Sequence, residues 1–391
     1  MSNFDNDQAR VGLGQVLERA GVLTDPAWAR VFGQVDRAGF APEQVWVPVP
    51  GGYAPLSRQQ SPARWWELVY SDTPIVTQVE DGGPVPHGRK LPWTASSSAS
   101  MPSIVLGMLG LLDVANGMRT LEIGTGTGYN AALLSARLGE DLVTTVEIDP
   151  VVSAAAVRSL AGAGFHPTVA TGDGTKGYAA NAPYSRIIST YAVHEVSYAW
   201  IQQTEPGGVI VTPWGTPFNN SGLVRLVVRP DGQAVGRFVG SVNFMWDRGQ
   251  RPDQALIRQV VSADHQPSAS TTDLNPRAIL EEHAAFTVGL LVPGCREVTV
   301  WAPDDSGRFT FWALACDRQS WASVSYEPEQ TRCEVEQYGP RQLWDEIETA
   351  YEWWKFTGSP ERERFGVTVT PENQWVWLDH RDSENCWEIP R

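Results

Sequence analysis

A glycine-rich turn followed by an acidic residue is the part of this chain best suited to binding a nucleoside. Residues 121–128 read Leu-Glu-Ile-Gly-Thr-Gly-Thr-Gly, and Glu147 follows about twenty residues later. The apolar residues at the start predict a buried strand, and the glycines let the backbone approach a ligand closely. The run from Tyr129 to Leu138 has helical spacing. Because an acid at the end of the next strand can accept hydrogen bonds from both ribose hydroxyls, this order predicts a nucleoside-binding βαβ unit.

The spacing of the glycines separates two kinds of nucleoside site. The dinucleotide fingerprint is G-x-G-x-x-G, whereas here the third glycine comes one residue early, at Gly128, and Tyr129 takes its place. Glu122, two residues before Gly124, is also foreign to that fingerprint. The pattern E-x-G-x-G-x-G resembles that of class I S-adenosylmethionine methyltransferases. The alternative is a glycine-rich turn in an unrelated α/β protein, and the full strand–loop–helix–strand–acid order favours the methyltransferase.

The elements around this unit predict an α/β fold. Strand and helix patterns alternate from residue 120 to residue 212, which is typical of a parallel sheet covered on both faces. Two apolar runs around Pro230-Asp231-Gly232 predict a hairpin of antiparallel strands. We therefore expect a Rossmann-like class I methyltransferase with a mostly parallel, doubly wound sheet. Beyond a polar stretch at 248–276, alternating runs rich in Trp predict a C-terminal α+β domain.

Three segments are expected from these patterns. Residues 1–95 read as helix and loop on the substrate side, with loops at 42–62 and 78–100 where Pro, Gly and Ser are frequent. Residues 96–250 are expected to bind the cofactor, and residues 270–391 to recognise a peptide through their tryptophans. Core packing or dimerisation is the alternative role for the last segment.

Composition argues against several classes of partner. A net charge of −15 makes nucleic acid an unexpected partner, because phosphate binding requires a basic surface. The 4 Cys contain no C-x-x-C pair and the 6 His are scattered, so neither a disulfide framework nor a metal site is expected. No run has the length of a membrane span and the first residues lack a secretion signal. We therefore expect a cytoplasmic protein without a membrane partner.

Several spaced motifs around the glycine loop resemble those of the protein-L-isoaspartate O-methyltransferases. The family element Thr-Ile-Ser-x-Pro corresponds to residues 98–102, Ser-Ala-Ser-Met-Pro. Residues 70–75, Tyr-Ser-Asp-Thr-Pro-Ile, resemble Tyr-x-Asp-x-Pro-Leu, and residues 172–174 resemble Gly-Asp-Gly. Further signatures correspond to residues 182–188, 205–208 and 244–249. The likeness covers roughly residues 28–250 and depends on several motifs together.

The resemblance implies methyl transfer from S-adenosyl-L-methionine to a peptide carboxylate, with S-adenosyl-L-homocysteine as the second product. A carboxylate is already a nucleophile at neutral pH, so the protein must align and desolvate it rather than deprotonate it. A hydroxyl can orient one carboxylate oxygen while the other attacks, and Ser100 is the catalytic candidate. The alternative is a loop hydroxyl that caps the helix beginning near Pro102. Ser98 and Met101 are expected to contact the substrate.

The resemblance also assigns the cofactor contacts. Glu147 and Ile148 are expected at the ribose, and Asp173 and Gly174 at the adenine, although Asp173 also fits an ordinary turn. Glu122 is expected to orient the loop through backbone N–H groups, and Tyr129 fits either the cofactor or the core. The expected cofactor-binding residues are Glu122, Gly124, Thr125, Gly126, Gly128, Tyr129, Glu147, Ile148, Asp173 and Gly174.

Three features depart from the family pattern. Tyr191 and His194 stand where small residues are expected, in a loop that should face the methyl acceptor, although His194 also fits a surface position. The loop at 78–97 is longer and brings Lys90 and Trp93 toward the acceptor side. About 140 residues follow the catalytic domain, where repair enzymes of the family usually end.

The extension favours a dedicated enzyme over a general one. Some relatives with a similar extension resemble tailoring enzymes of ribosomally made peptides (graspetides, lanthipeptides, lasso peptides), in which methylation of an Asp leads to an aspartimide. We therefore expect a substrate peptide whose Asp side chain is methylated and then closes to a succinimide. The alternatives are a protein-L-isoaspartate (D-aspartate) O-methyltransferase that repairs damaged proteins, and a peptide-binding protein without cofactor.

Overall fold

The chain divides into two compact units. The computed structural model describes residues 6–50, 52–83 and 94–389. The first unit comprises Met1–Tyr191, Ser197–Thr212 and Arg225–Ala234. The second comprises Ala192–Val196, Pro213–Val224 and Val235–Arg391.

These units differ from the three segments expected from composition. The segment 1–95 belongs with the glycine loop in one unit, and parts of the segment 96–250 belong to the second unit. A bridge joins Ala192 to Trp246, and another joins Val193 to Trp214. Composition marks polar linkers, whereas the boundary of a compact unit depends on where few contacts cross. Backbone pairing between distant segments therefore sets a boundary that composition does not show.

The N-terminal part of the first unit contains a small antiparallel sheet. Its elements are α1 (Asn6–Arg19), α2 (Pro26–Gln34), β1 (Gln44–Val49), β2 (Gly52–Ser57), α3 (Pro62–Val69), β3 (Ile75–Val79) and β4 (Ala95–Ala99). The strand order is β2-β1-β3-β4. The expectation of loops at 42–62 and 78–100 is therefore wrong where these strands lie.

Proline explains why this sheet was missed. Pro55 lies on β2, which is an edge strand. Pro48 lies on β1, two residues beyond the pairing of Trp46 with Val76 on β3. A proline at the edge of a sheet removes no hydrogen bond between strands, because its missing N–H has no partner there. Proline is therefore tolerated in these strands, although its presence in the sequence predicts a loop.

The rest of the first unit is the expected methyltransferase sheet. Its elements are α4 (Pro102–Leu112), β5 (Thr120–Ile123), α5 (Tyr129–Leu138), β6 (Val143–Glu147), α6 (Pro150–Gly162), β7 (Thr168–Thr171), β8 (Tyr184–Ser189), α7 (Tyr198–Gln202) and β9 (Thr204–Trp214). The strand order is β9-β8-β5-β6-β7, and the neighbouring pairs are parallel. Parallel strands place the loops after β5, β6, β7 and β8 at one edge of the sheet. The prediction of a doubly wound, mostly parallel sheet is confirmed.

Three strands contribute residues to both units, namely β9, β10 (Gly222–Val228) and β11 (Ala234–Ser241). The second unit continues with α8 (Ile257–Val260), β12 (Ser268–Thr272), α9 (Pro276–Ile279), α10 (Glu282–Leu291), β13 (Cys295–Trp301), β14 (Phe309–Ala315), β15 (Trp321–Tyr326), β16 (Cys333–Tyr338), α11 (Leu343–Phe356), β17 (Phe365–Val369), β18 (Gln374–Leu378) and β19 (Cys386–Glu388). An antiparallel sheet in the order β12-β16-β15-β14-β13 forms one layer. The prediction of a C-terminal α+β domain is confirmed.

Apolar packing holds the second unit together. Phe311, Val324 and Ile347 are fully buried in one cluster with Trp344 of α11 and Val288 of α10. Strands β17, β18 and β19 pair antiparallel in chain order. The tryptophans that suggested a recognition surface are thus partly core residues, as the alternative reading held.

Candidate active site

The glycine turn is built from left-handed backbone. The φ angles are 93° at Gly124, 53° at Gly126 and 88° at Gly128. A Cβ on Gly124 would lie 2.5 Å from Oγ1 of Thr190, and one on Gly128 would lie 3.1 Å from Cγ of Leu160. Any other residue would therefore be strained and crowded at these positions. Helix α5 begins directly after the turn, and its first N–H groups remain available to a ligand.

Glu147 stands at the end of β6, beside this turn. Its Oε2 accepts from the backbone N of Gly126 at 2.9 Å, and its Oε1 accepts from the backbone N of Asp149 at 3.1 Å. A carboxylate offers about four lone-pair positions, so one acid can accept several hydrogen bonds at once, as two ribose hydroxyls would require. Ile148, the next residue, is 48 % exposed. An acid held by the loop and followed by an accessible apolar side chain fits the ribose and adenine of S-adenosylmethionine.

Glu122 has a different environment from the one expected. It is fully buried, and its Oε1 accepts from Nδ2 of Asn130 at 2.7 Å while its Oε2 accepts from Oγ1 of Thr145 at 2.6 Å. Oγ1 of Thr125, also buried, lies 2.6 Å from Oγ1 of Thr145. The expectation that Glu122 bonds loop N–H groups is wrong: it joins side chains of α5 and β6 behind the turn. Burial raises the pKa of Glu122 to about 7.

Asp173 follows β7 and caps a short turn. Its Oδ1 accepts from the backbone N of Thr175 at 3.0 Å and from Oγ1 of Thr175 at 2.6 Å. Nζ of Lys176 lies 3.6 Å from Oδ2. These hydrogen bonds, with the nearby ammonium, lower the pKa of Asp173 and keep it ionised at neutral pH. The structure thus shows the turn role, and the adenine contact stays a prediction.

Tyr191 lies between the two glycine turns. A Cβ on Gly124 would lie 3.2 Å from the ring of Tyr191. A Cβ on Gly174 would lie 2.9 Å from its Oη. The Trp200 ring lies 6.4 Å away, and its Nε1 donates to the carbonyl of Gly174 at 2.8 Å. Tyr191 was expected at the acceptor. The structure places it against both turns, and its contact with the substrate stays a prediction.

Tyr129 is a core residue. It is 4 % exposed, and its ring centroid lies 5.7 Å from that of Phe40. Its Oη has no hydrogen-bond partner among the described residues, and burial raises its pKa. The cofactor assignment of Tyr129 is therefore replaced by the alternative reading, a core aromatic.

The predicted acceptor residues lie on one short segment beside the glycine turn. The carbonyl oxygen of Ser98, on β4, is 3.3 Å from the position a Cβ would take on Gly126. Ser100 and Met101 follow and are half-buried, and α4 begins at Pro102. We call residues 98–101 the acceptor loop. The structure brings it together with the cofactor turn, as the motif order implied.

Ser100 does not cap α4. The N-cap residue is Met101, and the backbone N of Ser103 instead donates to Oδ1 of Asp72 at 2.8 Å. The alternative role for Ser100 was to cap α4. Asp72 performs this role, so the hydroxyl of Ser100 does not. The signal for Asp72 was present in the Tyr-x-Asp-x-Pro motif.

Two further residues were missed at the sequence level. Nη2 of Arg37 donates to the carbonyl of Ser100 at 3.0 Å. Nε2 of Gln78, on β3, donates to Oδ2 of Asp149 at 2.9 Å, two residues beyond Glu147. The signal for Arg37 is a charged residue placed between the apolar Val35 and Phe40.

His194 belongs to the second unit. Its Nδ1 lies 2.9 Å from the carbonyl oxygen of Gly215, and its backbone N donates to Oε1 of Gln250 at 2.8 Å. Burial lowers its pKa, so it is neutral at pH 7. His194 lines a cavity of about 750 Å³ within this unit. Lys90 and Trp93, also expected at the acceptor, lie outside the described residues.

Other site types find no support in the part of the chain that the structure describes. No group of three or more His, Cys, Asp or Glu side chains there is placed to hold a metal ion. The four cysteines are free thiols. None of the described helices combines the length and apolarity needed to cross a membrane.

Comparisons with known proteins agree with this site. Residues 58–247 match the model of the protein-L-isoaspartate(D-aspartate) O-methyltransferase family. A protein-L-isoaspartate O-methyltransferase of Pyrococcus horikoshii is 35 % identical over 156 residues, which are 40 % of this chain and 70 % of that protein. One of Hyperthermus butylicus is 35 % identical over 218 residues, 53 % of this chain and 76 % of that protein.

A solved structure extends the likeness in fold. A structure named protein-L-isoaspartate O-methyltransferase covers 95 % of this chain and 100 % of its own, with a TM-score of 0.53 and 21 % identity. At that identity the likeness concerns the fold.

The parallel sheet, the E-x-G-x-G-x-G turn and the acid after β6 define a class I S-adenosylmethionine-dependent methyltransferase. The chain belongs to the protein-L-isoaspartate O-methyltransferase family, and it is a carboxyl O-methyltransferase with S-adenosyl-L-methionine as its cofactor. The expectation of this cofactor is confirmed.

The buried Glu122 predicts a pH-dependent stability. Its pKa in the folded state, about 7, lies above the ordinary 4.5, so the folded state binds more protons between these values. The free energy of unfolding should therefore fall as pH rises from 4.5 to 8, by on the order of 3 kcal/mol from this group. Glu122→Gln keeps an acceptor for Asn130 and should remove this component. Denaturant unfolding at both pH values, followed by circular dichroism, measures it.

Glu67→Gln, which replaces an exposed carboxylate on α3, is the control and should follow the wild-type profile. If the difference in unfolding free energy between wild type and Glu122→Gln were the same at pH 4.5 and pH 8, Glu122 would not carry this dependence.

Proposed function

We propose that this enzyme methylates the free carboxylate of an isoaspartyl residue in a protein or peptide. The observation that carries the proposal is the close approach of the acceptor loop to the cofactor turn, with the carbonyl oxygen of Ser98 at 3.3 Å from the Cβ position of Gly126. Relatives that are 35 % identical to this chain are named for this reaction. A carboxylate bound at Ser100 would then be two residues along the chain from this contact with the cofactor turn.

The chemistry asks little of the protein beyond position. Bound S-adenosylmethionine supplies a methyl group on a sulfonium, so the O–CH₃ bond forms as the S–CH₃ bond breaks and no proton is transferred. Glu147 would hold the ribose and the glycine turn would lie against the cofactor, while the Ser100 hydroxyl would donate to one carboxylate oxygen. Alignment of this kind lowers the barrier because the reactants are already oriented.

The dedicated tailoring reaction is the narrower reading. It was argued from the C-terminal extension, but a structure named isoaspartate methyltransferase has a similar fold over 95 % of this chain. The extension therefore does not by itself favour a modified peptide as substrate. Methylation of an ordinary Asp, followed by aspartimide formation, remains a prediction that the same assay tests.

A pair of matched hexapeptides separates the two reactions. One contains isoaspartate and the other Asp at the same position, and each is incubated with enzyme and S-adenosylmethionine. We expect methyl ester and then succinimide from the isoaspartyl peptide alone, detected by mass spectrometry. Methylation of the Asp peptide alone would support the tailoring enzyme, and labelling of neither peptide across several sequences would reject the proposal.

Ser100→Ala tests the acceptor hydroxyl. Loss of one oriented donor should lower kcat more than tenfold, while the dissociation constant of S-adenosylhomocysteine changes little. Ser103→Ala, three residues further along the same segment, is the matched control and should retain turnover. An unchanged kcat in Ser100→Ala would show that the Ser100 hydroxyl takes no part in the reaction.

We propose further that the cavity of the second unit binds a cationic side chain of the substrate. The indoles of Trp246 and Trp387 line it together with the carboxylates of Glu195 and Glu388. None of its described lining residues is Lys or Arg. Indole faces and carboxylates both attract a cation, and Trp is frequent in recognition sites. This role replaces the broader expectation that the whole segment 270–391 recognises a peptide.

Trp387→Ala should weaken a preference for basic peptides. Isoaspartyl peptides that contain Lys should have a higher kcat/KM than matched peptides with Glu in its place, and losing one indole–cation contact should reduce that ratio about fivefold to tenfold. Trp301→Ala, which removes a 52 % exposed tryptophan of the same unit, is the control. An equal ratio in wild type and Trp387→Ala would exclude the cavity from recognition.

A further inference from the structure

Arg37 is a charged residue enclosed by the first unit. It opens a single turn of 3₁₀ helix, Arg37–Phe40, and is only 2 % exposed. Asp36 caps this turn, accepting from the backbone N of Ala38 at 3.0 Å, and also accepts from Oη of Tyr70 at 2.9 Å. The backbone that carries Arg37 is therefore fixed at its start.

The guanidinium of Arg37 donates to backbone carbonyls from two segments of chain. The acceptors, at 2.8 to 3.2 Å, are the carbonyl oxygens of Val69, Ser71, Thr73, Ala99 and Ser100. Val69 is the last residue of α3, Ser71 and Thr73 follow it in the Tyr-x-Asp-x-Pro motif, and Ala99 and Ser100 lie at and just after the end of β4. One side chain thus joins residues 69–73 to residues 99–100, which are far apart in the sequence.

The charge is matched by carbonyl dipoles. Among the described residues no carboxylate forms a salt bridge with Arg37, and its Nε has no hydrogen-bond partner. Burial lowers its pKa to about 10, so it stays protonated at neutral pH. A buried charge without a carboxylate is costly. A planar fork with donors in fixed directions is suited to hold several carbonyls, whereas the ammonium of Lys is a point charge.

The carbonyls held by Arg37 flank the acceptor loop. Two of them belong to Ala99 and Ser100 themselves. Asp72, within the held segment 69–73, accepts from the backbone N of Ser103 at the other end of the loop. The loop is therefore fixed before and after Ser100, while its Ser98 carbonyl lies against Gly126.

We propose that Arg37 is a positioning residue for methyl transfer, which acts by holding Ser100 at the distance from the cofactor turn that the reaction requires. The proposal rests on the proposed function of Ser100. It follows from the sensitivity of aligned reactions to small displacements, where a shift of about 1 Å costs on the order of a hundredfold in rate. Arg37 itself touches backbone and not substrate.

A double-mutant cycle tests the coupling. Arg37→Lys should lower kcat at least tenfold in the wild-type background but less than twofold in the Ser100→Ala background, because the hydroxyl it positions is then gone. KM and the dissociation constant of S-adenosylhomocysteine should change less than threefold. An equal loss of kcat in both backgrounds would overturn the proposal.

Arg362→Lys is the matched control. Arg362 is also fully buried and bonds the carbonyls of Ser221 and Gly240, but it lies in the second unit. Its replacement should lower the melting temperature without the loss of kcat. A loss of kcat in Arg362→Lys as large as in Arg37→Lys would mean that general destabilisation explains both.

The Asp72→Ala variant and hydrogen exchange at the Ser103 amide provide two further tests of the positioning role. If Arg37→Lys does not fold, Asp72→Ala replaces it, because this change loosens the other end of the acceptor loop. Its loss of kcat should also be much smaller in the Ser100→Ala background than in wild type, and an unchanged kcat in Asp72→Ala would overturn the proposal.

If the wild-type enzyme does not methylate the isoaspartyl peptide, the proposed function is rejected before the positioning role of Arg37 is tested. Hydrogen exchange at the Ser103 amide then decides, since Arg37→Lys should speed it at least tenfold and Arg362→Lys should not; no change would overturn the positioning role.

Discussion

The contact between two backbones, at Gly126 and Ser98, is the constraint on which the active site depends. A Cβ at residue 126 would meet the carbonyl of Ser98 at 3.3 Å, so the glycine lets the two chains run side by side. The same glycine donates its N–H to Glu147. One residue without a side chain therefore links Glu147, the cofactor turn and the acceptor loop. A change that moves one of the three must alter its contact with Gly126.

Two buried ionisable groups stabilise this arrangement from opposite sides. Glu122 joins α5 and β6 behind the cofactor turn through Asn130 and Thr145. Arg37 joins α3 and β4 behind the acceptor loop. The hydrogen-bond partners of each group are mainly neutral dipoles. Burying such ionisable groups costs free energy of folding compared with an apolar core. Such groups are expected where a geometry must be held more exactly than hydrophobic packing alone can hold it.

The cofactor half of the fold could be predicted because its signals are local. The glycines at 124, 126 and 128 permit the left-handed backbone of this turn, and the apolar strand and helix patterns around them have clear periods. The N-terminal sheet could not, because Pro48 and Pro55 sit where a missing donor costs nothing. Helix α10 was missed because it is buried almost all round and lacks a polar face.

The parts of the site that sequence patterns could not assign are those set by contacts between distant segments. Tyr191 was assigned to the acceptor because of its size and position, yet its neighbours are two glycines far away in the chain. His194, three residues later, belongs to another compact unit. Neighbouring residues of one short loop thus belong to different compact units. No local sequence pattern marks the boundary between Tyr191 and Ala192.

The second unit shows why chain length is weak evidence for substrate choice. Its core uses Phe311, Trp344 and Val288 in ordinary packing, so a Trp-rich composition does not itself indicate a binding surface. What indicates one is the arrangement of the remaining residues, in which indoles and carboxylates line a single cavity of about 750 Å³ without a basic side chain among the described lining residues. Specificity in such a site depends on the charge of the ligand, because burying an unpaired cation elsewhere would cost more. The proposal that this cavity binds a cationic side chain therefore depends on the residues that line it and not on the presence of an extension.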